Sequence, residues 1–141
     1  MTKKSHKLVL EDDFQFLLIG ISSHENDYRI SWAINIQLKM ALKRTDNLHI
    51  HNPRISEEQE FSLYQFTDPE TLLHYDLFSN RCDNGFLLEE MKNIDYILKI
   101  SGDANKNFPT QLVNKLKKID IITTAFEINP LKLKSRKKLI F

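Results

Sequence analysis

Apolar and polar positions change their period several times along the chain, and each change marks an element. Residues 14–21 read Phe-Gln-Phe-Leu-Leu-Ile-Gly-Ile, apolar on both alternating faces and rich in β-favouring residues, which predicts a well-buried strand. Lys7–Leu10 is a short strand candidate ahead of it. The polar break Ser22–Asn26 follows, with Asn26 or Asp27 placed to cap a helix. From Asp27 to about Lys43 the spacing becomes helical. Ile30, Ala33, Ile34, Ile36, Leu38, Ala41 and Leu42 recur on one side, while Arg29, Gln37, Lys39 and Lys43 are free to face water. Tyr28 and Trp32 lie four apart and are expected to stack along that helix.

Strand patterns then dominate. Leu48–His51 is short, and Phe61–Thr67 sets Phe61, Leu63 and Gln65 on one face against Ser62, Tyr64 and Phe66. Leu72–Ser79 turns Leu73, Tyr75 and Leu77 inward with His74 and Asp76 outward. Asp68-Pro69-Glu70 supplies a hairpin turn between the two. Ile94–Ser101 sets Ile94, Tyr96, Leu98 and Ile100 on one face. A second helix is expected near Pro109, with Leu112, Val113, Leu116 and Ile119 as its apolar stripe. Ile121–Ile128 reads as a last strand, and Asn129-Pro130 as the start of a short basic helix. Strands that follow one another without helices pair antiparallel. The expectation is an α+β fold, a two-layer α/β sandwich with a mainly antiparallel sheet, two main helices and a short C-terminal helix. It forms one domain over residues 1–141.

Composition adds exclusions. With 41% hydrophobic residues the chain can bury a core, and a net charge of +1 selects no nucleic acid or membrane by global field. One cysteine, Cys82, forms no internal disulfide and no thiolate cage. Three glycines, at 20, 85 and 102, write neither a P-loop nor a dinucleotide fingerprint. The first residues carry lysines without the roughly 7–15 apolar residues of a secretory signal. No run approaches the roughly 20 residues of a membrane span. A cytoplasmic protein without cofactor or membrane is expected. Charge is uneven: residues 55–95 hold ten acids against Arg81 and Lys92, while residues 103–141 hold nine bases against three acids. The two stretches either neutralise each other within the fold or face a partner or a second copy.

Four groups bear on chemistry. His49-Ile50-His51 on a strand points two imidazoles to one side, suited to a metal if His74 or Asp76 supplied further ligands; without a fixed third ligand the signal is weak, and two solvent-facing histidines on a short edge strand are the default reading. Ser23, His24, Glu25 and Asp27 sit in the loop between strand and helix. First-turn amides there can hold an anion, and Ser, His and Glu invite a hydrolase reading. Adjacent residues rarely converge as a triad, and the same residues are helix-capping types. Lys132, Lys134, Arg136, Lys137 and Lys138 form a basic tail, either a phosphate-contacting patch or a solvated face whose Leu131, Leu139, Ile140 and Phe141 pack back. Glu89, Glu90 and Asp95 are either a carboxylate cluster for acid–base work or a charged outer face.

Three stretches in order resemble a bacterial family named after its IPExxxVDY motif. They are Phe16–Ile21 with Asp27-Tyr28-Arg29-Ile30, the segment Leu88-Glu89-Glu90-Met91-Lys92-Asn93-Ile94-Asp95-Tyr96, and the terminal Leu133–Phe141. Glu90, Asp95 and Tyr96 match the motif, Leu88 and Ile94 are conservative replacements, and Glu89 stands where the family has proline. The resemblance implies no reaction, because that family has no assigned activity. For the motif, strand alternation predicts a structural role. Tyr96 would lie buried beneath a helix, with Asp95 on the other face, and both acids would pair with bases or cap backbone. The functional expectation is a non-enzymatic protein acting through protein–protein contact, as a homodimer or an accessory subunit. The alternative is an RNA- or phosphate-binding accessory protein using the basic tail. A third reading is a small-molecule enzyme centred on the Ser22–Asp27 loop.

Overall fold

A computed structural model describes residues 16–140. The strand expected at Lys7–Leu10 lies outside the described residues, as do Phe14, Gln15 and Phe141. The run apolar on both faces becomes β1 (Phe16–Ser22), inside a six-stranded sheet. The other members are β2 (Lys43–Arg44), β5 (Leu63–Thr67), β6 (His74–Ser79), β9 (Tyr96–Ser101) and β10 (Thr124–Ile128). Their order is β10-β1-β9-β6-β5-β2, and every neighbouring pair is antiparallel. Two hairpins stand outside this sheet: β3 (Leu48–Asn52) with β4 (Glu57–Phe61), and β7 (Arg81–Cys82) with β8 (Gly85–Phe86). With its two main helices the chain is an α+β fold.

Both faces of the sheet are covered, which is why β1 is apolar on both sides. On one face Ile19, Ile21, Tyr75, Leu77, Tyr96, Leu98 and Ile100 meet Ile30 and Ile34 of helix α1 (Asp27–Leu38) and Leu112 and Leu116 of α2 (Phe108–Lys117). On the other, Leu18, Phe61, Leu63, Phe78, Ile94, Ile97 and Ile128 meet Leu133 and Leu139 from the terminal segment. That segment holds two 3-10 turns, Pro130–Lys132 and Arg136–Leu139, the first capped by the Asn129 side chain. Leu139 packs back as expected, whereas Leu131 stays exposed. Gly20 permits a close approach here. A Cβ at this position would meet Ile128 at 3.0 Å and Ile94 at 3.3 Å.

Several local expectations are corrected. The first helix stops at Leu38 rather than Lys43, because Lys39 turns left-handed (φ 57°) and caps it. Asn35 then grips the returning chain: its amide donates to the Leu42 carbonyl (3.1 Å) and its oxygen accepts from the Leu42 amide (2.8 Å). The stretch Phe61–Thr67 is two strands broken at Ser62, since Phe61 belongs to the β3–β4 hairpin and Leu63 to the main sheet. Ile94 does not share the face of Tyr96; it sits before β9 and packs on the opposite side of the sheet. Asp76 does not face outward to water but is 2% exposed. It accepts from Gln65 (2.7 Å), lies 3.0 Å from His74 Nε2 and stands in register with buried Lys99. Burial lowers the Lys99 pKa, an effect the Asp76 charge opposes. The Lys99 ammonium also lies over the Phe16 ring (4.8 Å) and donates to the Leu139 carbonyl.

Candidate functional site

The loop and two of the three matched motif residues, Asp95 and Tyr96, meet at one end of the sheet, where β1 ends, β9 begins and α1 starts. Asn26 is the N-cap of α1, accepting from the Arg29 amide at 2.9 Å, which satisfies one of the helix's free amides. Ser23 is 5% exposed, and its hydroxyl donates to the Ile121 carbonyl (2.6 Å) and accepts from the Glu25 amide (3.1 Å). Asp95 accepts from the Ser23 amide (2.8 Å) with one oxygen and pairs with Arg81 (3.0 Å) through the other. Tyr96 donates to the Glu25 carbonyl at 2.5 Å. Asp95 precedes β9, so it reaches the same loop as Tyr96 without obeying strand alternation. Burial, with the Asp27 and Asp95 charges behind it, pushes the Tyr96 phenol up to about 12.

An open cleft of about 510 Å³ lies over this junction, lined by His24, Glu25, Arg81, Asn93, Asp95 and Tyr96 among others. It adjoins a cleft of about 760 Å³ lined by Asp27, Glu57, Glu58, Glu60 and Asp83, with Arg81 the base among them. The hydrolase arrangement does not assemble. The Ser23 hydroxyl is engaged by backbone on both sides, and Asp95 rather than His24 orients the loop. His24 is exposed and Asp27 is drawn to Arg44 at 2.8 Å. Geometrically this is a docked capping loop.

Glu90 lies elsewhere. It accepts from the Lys134 amide (2.6 Å), the Ser135 amide (3.1 Å) and the Ser135 hydroxyl (2.7 Å), so it caps the terminal segment. Burial works against its ionisation, but the Ser135 and Lys134 hydrogen bonds outweigh it and hold the carboxyl below the ordinary range. In the basic tail, Lys138 donates to the Leu87 carbonyl (3.0 Å) and Arg136 to the Leu133 carbonyl (2.7 Å). Lys132, Lys134 and Lys137 are exposed. Arg54, paired with Glu89, joins Lys134, Lys137 and Lys138 around an open cleft of about 650 Å³ that also includes Glu90. Acidic middle and basic end therefore meet in part within the fold.

The two histidines of β3 do point to one side, but each faces its own glutamate across the hairpin, His49 to Glu60 (3.5 Å) and His51 to Glu58 (2.8 Å). His74 and Asp76 belong to the main sheet instead. Among the described residues no three His, Cys, Asp or Glu side chains group to hold a metal ion.

Two features escaped the sequence reading. Asn80, 0% exposed, donates to the Met91 and Ile94 carbonyls (3.0 Å each) and accepts from the Leu88 amide (2.7 Å), so it organises the whole segment from Leu88 to Ile94. A lone Asn after a strand reads only as a turn residue, and its long-range partners leave no spacing signal. The second is the outer face of α1, where Tyr28, Trp32 and Ile36 stand 67%, 57% and 59% exposed at i, i+4 and i+8. Ile36 was expected inward; the helix buries only a narrow stripe of Ile30, Ser31 and Ile34. Trp32 and Ile36 border a groove of about 250 Å³ toward Lys118, Asp120 and Ile121. Among the described residues no helix is long and apolar enough to cross a membrane. Compared with protein-family models, with curated proteins and with solved structures, the chain matches none of them.

Proposed function

We propose that this chain is a non-enzymatic cytoplasmic protein that acts by contacting another protein chain through the outer face of α1. The observation that carries the reading is the ridge Tyr28–Trp32–Ile36, three large apolar side chains more than half exposed on one helix face. Together they present roughly 350 Å² of apolar surface, taking aromatic side chains at about 150–250 Å² each. A patch of about that size is ordinary as a monomer's largest and often serves a function; its content supports protein contact, because Trp and Tyr are enriched at interfaces. The resemblance to the IPExxxVDY family adds no reaction to this. The matched residues Glu90, Asp95 and Tyr96 are each engaged in holding a loop or the terminal segment. Affinity capture with the purified chain tests the reading. Trp32→Arg should remove the captured protein while Leu72→Arg, at an isolated exposed leucine (74%), should leave it. Equal capture by both variants would overturn it.

A second reading rests on a separate observation, the convergence of Arg54, Lys134 and Lys137 on one cleft. In it the chain binds RNA or another phosphate-bearing ligand. Counterion release then requires affinity to fall steeply with salt, and removing Lys134 and Lys137 should flatten the slope. Salt-independent binding, or none at low salt, rejects this reading.

A further inference from the structure

The relay that the Ser22–Asp27 loop does not assemble is present across β5 and β6. Thr67 stands in register with His74, and its hydroxyl oxygen lies 2.7 Å from His74 Nδ1. His74 Nε2 lies 3.0 Å from one oxygen of Asp76, two residues along the same strand and so on the same face of the sheet. Asp76 is 2% exposed, and the Gln65 amide donates to that same oxygen at 2.7 Å. An ionised carboxylate only accepts, so the ring proton sits on Nε2, and Nδ1 of the neutral imidazole is left to accept the Thr67 proton. Asp76 is thus a positioning residue, which fixes the tautomer and stabilises the imidazolium formed when His74 takes a proton. The order of hydroxyl, imidazole and buried carboxylate is that of a Ser-His-Asp triad with the two ring nitrogens exchanged. Thr67 is exposed and the His74 side chain is 36% exposed, so water could satisfy both, and burial does not require their hydrogen bond.

The geometry points to Thr67 as an activated nucleophile, a modification site that accepts an acyl group from a small, uncharged, activated ester or thioester. This inference is independent of the contact reading above. In the step, Thr67 Oγ1 bonds to the donor's carbonyl carbon while its proton passes to His74 Nδ1. The bond from that carbon to the leaving oxygen or sulfur breaks, the leaving group departs as an anion with the electron pair, and His74 gives its proton to solvent. A positioned general base contributes about 10²–10⁴ in rate, too little to open an amide or an alkyl ester, so the donor is an activated one. It is uncharged because the turn that follows Thr67 carries Asp68 and Glu70, which repel an anion.

The probe is p-nitrophenyl acetate, with acetylation of the full chain read site by site by mass spectrometry of its peptides. Thr67 should acetylate about 100-fold faster than exposed Thr110 and Thr124, the low end of what a general base contributes. Thr67→Val should remove the modified site and Thr67→Ser should retain it. His74→Ala should slow the reaction about 100-fold, and added imidazole should recover it relative to Thr110, which a merely structural role would not allow. The ring nitrogen chemical shifts of His74 in the parent should place the proton on Nε2, the signature of Asp76 acting through the imidazole. Circular dichroism checks that the variants fold. Thr67 acetylated no faster than Thr110 overturns the inference, as does a rate indifferent to His74→Ala, a variant that imidazole does not recover, or a ring proton on Nδ1. Nitrophenolate released beyond one equivalent by the parent and not by Thr67→Val would support the site and reject the non-enzymatic reading. Release that stops at one equivalent supports both.

Discussion

Replacing Asn80 with alanine should destabilise the protein by roughly 3–5 kcal/mol. The side chain is fully buried and makes three hydrogen bonds of 2.7–3.0 Å to the Leu88 amide and the Met91 and Ile94 carbonyls. The Met91 carbonyl keeps a second partner in the Ile94 amide (3.3 Å), so two backbone groups lose theirs outright. Each orphaned buried group costs about 1–3 kcal/mol, and the void left by the amide adds to that. Asn80→Asp separates shape from hydrogen bonding. Ionised, it would aim negative charge at two carbonyls; protonated, it recovers one donor. Its folded pKa is therefore raised above the unfolded value near 3.9, and the stability it contributes is present below that value and lost as pH rises through the folded one. Urea melts at pH 7 should place Asn80→Asp at or below Asn80→Ala, and melts near pH 4 should reverse the order. An alanine variant within about 1 kcal/mol of the parent would refute this account of the segment, the low end of the expected cost of one orphaned group. So would an Asp–Ala difference that pH does not change.

Tyr96→Ala should lower stability by about 3–5 kcal/mol and Tyr96→Phe by about 1 kcal/mol in urea melts, since the second keeps the buried ring and loses one hydrogen bond. Because the Tyr96 phenol is raised to about 12, its contribution is present below the ordinary value of 10.0 and lost as pH climbs between the two. Tyr96→Phe should remove that part of the alkaline transition in a pH-dependent melt. Asp95→Asn should cost about 1–2 kcal/mol, more than an exposed ion pair, because it weakens a bond to the Ser23 amide as well as the Arg81 pair. Glu90 is held below its ordinary value of 4.5, so its contribution is present above that value and lost as pH falls through the lower folded one. Protection factors of the Lys134 and Ser135 amides, with the intrinsic pH dependence of exchange divided out, should fall over that window in the parent, and Glu90→Gln should remove that fall.

The sheet was legible where burial produced a clean period. β1 is apolar on both faces because both faces are covered, and Tyr75, Leu77, Leu98 and Ile100 alternate as a strand requires. The Asn26 cap and the stripe of α2 were readable for the same local reason. Long-range polar contacts were not. Asp76 looked like an outward residue because nothing local tells that Lys99 and Gln65 will lie beside it in a covered layer. The strand Glu57–Phe61 carries three glutamates and reads as a loop, yet it forms because Gln59 and Phe61 alternate inward while Glu58 and Glu60 face the β3 histidines. The α1 ridge was hidden by its own composition, since an apolar residue at helical spacing counts toward the core whichever way it points. Only the narrowness of the buried stripe exposes Tyr28, Trp32 and Ile36 as an outer face.

The central claim is that the α1 ridge touches protein in the cell. Site-specific photo-crosslinking asks this directly, with a photoreactive amino acid placed at Trp32, or at exposed Thr110 on α2 as the reference position. Irradiation of living cells should give a discrete adduct from position 32 and none from position 110. No adduct from position 32, or the same diffuse adducts from both positions, would contradict the account.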